Sequence, residues 1–311
     1  VSADLMSENK NKFRCSDGFE LHLHAWKIAN PKATVLVVHG MTEHGGRYRE
    51  FAKKLNSEGF SVIAYDQRAH GLSVQHGFPR GAWPANNFWD IAKRDLKELF
   101  TEIQSTSLQP VLLFGHSMGS MISMATLQSR EINPKVAVLC GYPSKRAFLV
   151  SLGKWLCSVL VSKRNQYLPF PFQKVGIYLF ANRYFKGSTT SFDWLSSDPM
   201  QVKSYVNDPL CQMTCSWGFY SNLLNLLESI HKPGNIRKID HHQSLLFMFG
   251  GNDPISGFEN GILQTLDAIR KYHRHPEWRI FPDARHEMFA DYSSDIFYDE
   301  LLSSFNQVLE K

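Results

Sequence analysis

Phe114-Gly115-His116-Ser117-Met118-Gly119-Ser120 is the stretch on which the fold turns. It continues an apolar run, Val111-Leu112-Leu113-Phe114, and opens onto Met121-Ile122-Ser123-Met124-Ala125-Thr126-Leu127-Gln128, a segment able to coil into a helix. A Gly-x-Ser-x-Gly between a buried strand and a helix makes a sharp turn that lifts the serine hydroxyl clear of the sheet. The glycines are there for steric reasons. A β-carbon at Gly115 or Gly119 would collide with neighbouring chain where the backbone reverses so tightly. Ser117 then sits at a helix N-terminus, where backbone N–H groups favour developing negative charge.

Working outward, residues 33–39 (Ala-Thr-Val-Leu-Val-Val-His) form a continuous apolar run of the kind found in parallel strands buried on both faces. Tyr48, Phe51, Ala52 and Leu55 follow at helical spacing until Gly59, and Ser61-Val62-Ile63-Ala64-Tyr65 is the next strand. Phe88, Ile91, Ala92, Leu96, Leu99, Phe100 and Ile103 mark a second amphipathic helix, and residues 135–140 a further buried strand. Glu20-Leu21-His22-Leu23-His24-Ala25-Trp26 alternates strictly, so Leu21, Leu23 and Ala25 are expected on one face. His22 and His24 share the other, which reads as a solvated edge rather than a metal site because no third ligand is evident.

Strand and helix alternate up to residue 140, which predicts an α/β fold built on a doubly wound, mainly parallel sheet. The rhythm breaks at Gly141 and resumes with a strand at Ser244-Leu245-Leu246-Phe247-Met248-Phe249, a helix over 258–269, a strand over 277–281 and a closing helix marked by Phe297, Leu301, Phe305 and Val308. Residues 1–143 and 231–311 are therefore expected to form one core, with 144–230 inserted as a helical cap.

The 311 residues suffice for one large domain with an insertion. The first residues carry neither the basic nor the apolar region of a signal peptide, and no 18-residue apolar window exists, so a cytoplasmic protein is expected. Five cysteines, an odd number and widely spaced, favour reduced thiols. Cys211 and Cys215 lack a second pair at zinc spacing, and a packing role is expected. The formal net charge is +5, yet residues 145–192 alone hold eight Lys/Arg and no acid, so the rest of the chain nets −3. That basic segment is interleaved with Leu and Phe and has no nucleic-acid motif, so no nucleic-acid partner is expected. No cofactor-binding fingerprint occurs.

A serine hydroxyl is a poor nucleophile at neutral pH and needs a base, itself oriented by a carboxylate. Loops at the carboxyl ends of parallel strands converge on one site, and two late strands end in suitable groups: Gly250-Gly251-Asn252-Asp253-Pro254 and Asp283-Ala284-Arg285-His286. The order Ser117, Asp253, His286 is that of an α/β-hydrolase triad. Asp283 is a rival carboxylate, but three residues along the same loop is a poor place from which to hold the His286 ring. His116 adjoins the serine, and neighbours in a tight turn point apart, so it is read as packing or pocket wall. The oxyanion of the tetrahedral intermediate needs pre-aimed donors, and the backbone N–H groups of Met118 and Met41 are the expected pair.

The chain resembles the monoacylglycerol lipase and lysophospholipase group of serine α/β-hydrolases. The segments carrying the likeness are His39-Gly40-Met41-Thr42-Glu43-His44-Gly45-Gly46-Arg47-Tyr48, Asp66-Gln67-Arg68-Ala69-His70-Gly71-Leu72-Ser73, Gly115-His116-Ser117-Met118-Gly119, Asn207-Asp208-Pro209-Leu210, and the Asp253 and His286 loops. The resemblance implies a Ser117–His286–Asp253 triad with oxyanion donors at Met41 and Met118. Ala69 and Ser120 stand where the family usually has glycine.

The expected activity is hydrolysis of single-chain lipid esters through an acyl-enzyme on Ser117. A proline iminopeptidase shares the scaffold and is the runner-up, with a short-chain carboxylesterase behind it. The peptidase needs carboxylates in the cap to hold an amine; the acid-free 145–192 segment does not supply them, and Asp193, Asp198 and Asp208 beyond it are the candidates. A catalytically dead binding protein typically lacks a triad member, and none is missing here. Phe148, Leu149, Val150, Leu152, Trp155, Leu156, Val159, Leu160 and Val161, flanked by Lys145-Arg146 and Lys163-Arg164, suit either a helix lying in a membrane surface or one packed over the core entrance. Leu223, Leu224, Leu226 and Leu227 suit an acyl pocket or plain cap core. Headgroup, acyl length and oligomeric state are not legible in the sequence.

Overall fold

The structure is a computed structural model that describes residues 11–310 apart from 75–78, 84–86, 146–154, 156, 158, 163 and 274, with backbone alone at 177–180. Eight strands form one sheet: β1 (Lys12–Arg14), β2 (Glu20–Trp26), β3 (Ala33–Val38), β4 (Phe60–Tyr65), β5 (Val111–His116), β6 (Ala137–Cys140), β7 (Leu245–Gly250) and β8 (Glu277–Phe281). Their spatial order is β1-β2-β4-β3-β5-β6-β7-β8. β1, β2 and β4 pair antiparallel, and every pairing from β4 through β8 is parallel. The order reverses at β3, whose neighbours are β4 and β5. Such a reversal splays the loops beyond the strand ends and opens a crevice there.

The central strands are apolar without alternation because both of their faces are covered. In β5, Leu112 and Phe114 join one cluster with Val35, Val37 and Phe51, while Val111 and Leu113 join the other with Leu36, Leu99 and Met121. Helices α1 (Arg49–Ser57) and α9 (Ser294–Leu309) cover the first face. Helices α2 (Phe88–Thr106), α3 (Met118–Ser129) and α8 (Phe258–Arg270) cover the second. In β2, Leu21 and Leu23 are buried as the alternation requires, but Ala25 is exposed near the strand end.

Between β6 and β7 the described residues form helices and loops with no strand: α4 (Gln173–Phe180), α5 (Pro199–Asn207), α6 (Trp217–Ile230) and the single turn α7 (Pro233–Ile236). Asp198 caps α5, accepting the Met200 N–H, and Ser216 caps α6, accepting that of Phe219. Phe219, Leu226 and Ile230 of α6 are buried in the second cluster, so this helix is packed onto the core. Most of the apolar segment 148–161 lies outside the described residues. Of its described members, Trp155, Val159 and Leu160 are exposed. No helix among the described residues is long and apolar enough to cross a membrane. The five cysteines are buried free thiols.

Candidate active site

The turn at Ser117 has the geometry its sequence requires. β5 ends at His116, α3 starts at Met118, and Ser117 between them adopts φ +53° and ψ −118°, a left-handed value that L-residues hold only when their surroundings impose it. The Ser117 N–H donates to the Cys140 carbonyl at 2.9 Å, anchoring the turn to β6. A β-carbon at Gly119 would lie 1.9 Å from the Val38 carbonyl oxygen, and one at Gly115 would lie 2.5 Å from Ser123 Oγ. Neither position accepts a side chain. Ser120 uses its hydroxyl locally, donating to the Ser117 carbonyl at 2.6 Å. Ala69 takes φ +64°, a conformation that costs an L-residue about 1–2 kcal/mol and explains the glycine usual in the pattern.

The two late loops meet as well. Asp253, just beyond β7, is fully buried, and its Oδ2 lies 2.9 Å from His286 Nδ1. Ser256 Oγ donates to the same oxygen and the Ile255 N–H to Oδ1. Burial alone would raise the Asp253 pKa. The His286 ring and these donors outweigh it and hold the carboxyl below its ordinary range. His286 is shifted the other way. Burial would lower its pKa, but Asp253, with Glu287 and Glu43 behind it, holds it above the ordinary value. With Nδ1–H given to Asp253, the lone pair sits on Nε2, which is buried and has no hydrogen-bond partner among the described residues. Asp283, the rival carboxylate, is exposed to solvent.

Ser117 and His286 line one cavity of about 180 Å³ together with Met41 and Met118. Met121, Leu223, Leu224, Leu227, Ile255, Phe192 and Trp194 give it a mostly apolar wall, and Leu226 turns away into the core. His116 is also part of the wall, its ring centroid 4.8 Å from that of His286.

A family model described as Serine aminopeptidase, S33 matches residues 29–293. The chain belongs to that family. Human monoglyceride lipase is 34% identical over 117 residues, 37% of this chain and 37% of the relative. Phospholipase YtpA of Bacillus subtilis (strain 168) is 24% identical over 268 residues, 86% of this chain and 92% of the relative. A highly thermostable carboxyl esterase from Bacillus coagulans superposes with a TM-score of 0.86 at 22% identity, covering 96% of this chain and 97% of that one. The fold is thus the α/β-hydrolase fold. The chain spans 15% of the length of an abhydrolase domain-containing protein of Dictyostelium discoideum and 37% of that of the rat and human monoglyceride lipases.

In this member of the S33 family the cavity and its surroundings hold groups to which sequence reasoning gave no role: Glu43 and Arg47 were quoted only within the 39–48 segment, and Glu287 was not singled out. Glu43 and Glu287 are buried in its wall, and Arg47 binds both. Glu43 and Arg47 stand one helical turn apart in the quoted loop, and Glu287 follows His286; that spacing was the available signal. His24 bonds Asp66 at 2.9 Å and His44 bonds Asp208 at 2.9 Å. His24, His44 and Asp66 lie within metal-ligand reach of one another, as do His44, Asp208 and Cys211. His24 therefore has the neighbours that the strand pattern alone did not reveal. His24 with Asp66 and His44 with Asp208 are engaged with one another by hydrogen bonds.

Proposed function

We propose that the chain is a serine carboxylic ester hydrolase acting on single-chain lipid esters, monoacylglycerols or lysophospholipids. The observation that carries this reading is His286, held by Asp253 through Nδ1 while its unpartnered Nε2 is buried at an apolar cavity lined by Ser117. Ser117 Oγ attacks the ester carbonyl carbon and His286 Nε2 takes the hydroxyl proton. The carbonyl π electrons move to oxygen, which the backbone N–H groups of Met41 and Met118 stabilise. On collapse the C–O bond to the alcohol breaks and His286 returns the proton to the leaving oxygen. Water, deprotonated by the same nitrogen, then attacks the acyl-enzyme and frees the fatty acid and Ser117.

The walls support this substrate class. Leu223, Leu224, Leu227, Met121 and Ile255 offer an acyl chain apolar contact, each buried CH₂ contributing about 0.8 kcal/mol. The relatives' names, monoglyceride lipase and phospholipase, point the same way. A peptidase would need a free carboxylate for a substrate amine, and the cavity's Glu43 and Glu287 are both bound by Arg47. In this reading residues 144–230 act as a cap on the core of 1–143 and 231–311. Its exposed Trp155, Val159, Leu160, Leu168 and Phe172, in the same stretch of sequence as the exposed Lys145, Arg164 and Lys174, suit peripheral contact with a membrane.

The test is kcat/KM on a monoacylglycerol, a lysophosphatidylcholine, a short nitrophenyl ester and a prolyl anilide, with Ser117→Ala as control. Preference for either lipid, abolished in Ser117→Ala, is the expected result. Turnover of the anilide alone would move the assignment to a peptidase.

A further inference from the structure

The acyl-transfer chemistry needs two loops in register. One follows β3 and supplies an oxyanion donor, and the other follows β8 and supplies the base. In the sheet β5, β6 and β7 lie between those strands, so no ladder of hydrogen bonds fixes one loop against the other. A side-chain link spans them directly. Glu43 Oε1 accepts the Gly40 N–H, next to Met41, and Glu43 Oε2 accepts from Arg47 Nη1. Arg47 continues to the second loop, donating to Glu287 through Nη1 at 2.7 Å and Nη2 at 2.9 Å. Glu287 is bonded in the chain to His286, and its own N–H donates to the Leu195 carbonyl at 2.7 Å.

We propose that Arg47, clamped between Glu43 and Glu287, is a positioning residue that holds the oxyanion loop and the His286 loop at a fixed separation. The proposal rests on the ester-hydrolase reading of the site. Three features favour it over plain structural ballast. Both carboxylates are buried, so the link is little screened by water. The pairing to Glu287 is two-pronged, which fixes direction as well as distance. Each carboxylate also reaches the reacting groups by its own route, Glu43 through the Gly40 amide and Glu287 through the peptide bond to His286. Lysine cannot replace the guanidinium, because one ammonium does not match two carboxylates in a planar fork. Misplacing reacting groups by about 1 Å can cost about a hundredfold in rate, so a loosened link is visible in turnover.

The experiment is a double-mutant cycle on kcat with Glu43→Gln, Glu287→Gln and the pair, on the best ester substrate, at the pH plateau and alongside thermal melting. Glutamine keeps the shape and still accepts the Gly40 N–H, so what it removes is the charged clamp. Each single variant is expected to lower kcat about tenfold or more with KM little changed. The pair should be no slower than the slower single, because one break already opens the link. Arg47→Lys should fall to the same level while remaining folded. Multiplying effects, or lowered melting temperatures with unchanged kcat, would overturn the proposal and leave the trio a structural ion pair. Measuring at the plateau separates positioning from any change in the histidine's titration. Ser117→Ala is run beside them: activity surviving in that variant sinks the hydrolase reading itself, whatever the cycle shows.

Discussion

Ser117 and His286 are held in states that neither residue would choose alone, and in each the constraint can be named. For Ser117 it is the backbone: φ +53° persists because β5, α3 and the Cys140 carbonyl fix the chain on both sides. For His286 it is charge. Burial favours the neutral ring, but Asp253 at 2.9 Å, with Glu287 and Glu43 nearby, reverses that and raises the pKa above the ordinary 6.5. In the proposed mechanism His286 acts as the base only when Nε2 is unprotonated. Lowering the pH through the raised pKa therefore removes activity, and raising it restores activity. A kcat/KM profile is expected to lose its acid limb at a midpoint above 6.5. A midpoint at or below that value would mean that desolvation wins and the neighbouring carboxylates do little.

At the scale of elements, the sequence declared what was buried and concealed what was held by polar links. β3, β5 and β7 were legible because strands covered on both faces must be apolar throughout, and the elbow was legible because only glycine survives 1.9 Å from a carbonyl oxygen. β1 was not foreseen, since three residues reading Lys-Phe-Arg carry no periodicity and owe their conformation to pairing with β2. Asp253 and His286 were readable from where their loops fall. Arg47's pairing with Glu287 was not, because an ion pair 240 positions apart in sequence leaves no pattern. The link from α5 to the loop after β3, the proposed oxyanion loop, was equally hidden. Thr42, beside Met41, has φ +59°, unusual for a β-branched residue. Tyr205 of α5 donates to its carbonyl at 3.1 Å, and the two hydroxyls lie 2.8 Å apart. Tyr205→Phe removes both contacts and is expected to cost about 1–3 kcal/mol in urea unfolding, with a fall in kcat as the loop relaxes. Full stability with full turnover in that variant would show that the loop holds its own shape.

For the whole molecule, the uneven spread of charge is the feature to explain. Between β6 and β7, Leu168, Phe172 and Val175 are each more than half exposed, and the 145–192 stretch that holds them has no acidic residue. A segment that is apolar and basic at once is poorly suited to water and well suited to an anionic lipid surface, where chains take the apolar groups and headgroups meet the cations. In the proposed reading this places the cavity over its substrate, since a single-chain lipid ester partitions into membranes. Vesicles rich in phosphatidylserine should therefore co-sediment the protein, phosphatidylcholine vesicles should do so less, and raised salt should weaken the first far more than the second. Leu168→Ser with Phe172→Ser removes two side chains worth about 1.5–3 kcal/mol each when fully buried, so vesicle affinity should fall by about tenfold or more. Turnover of a short soluble ester should be unchanged, because neither residue lines the cavity at Ser117. Unaltered vesicle binding in that variant would mean that the exposed face serves another contact and that substrate reaches Ser117 without docking.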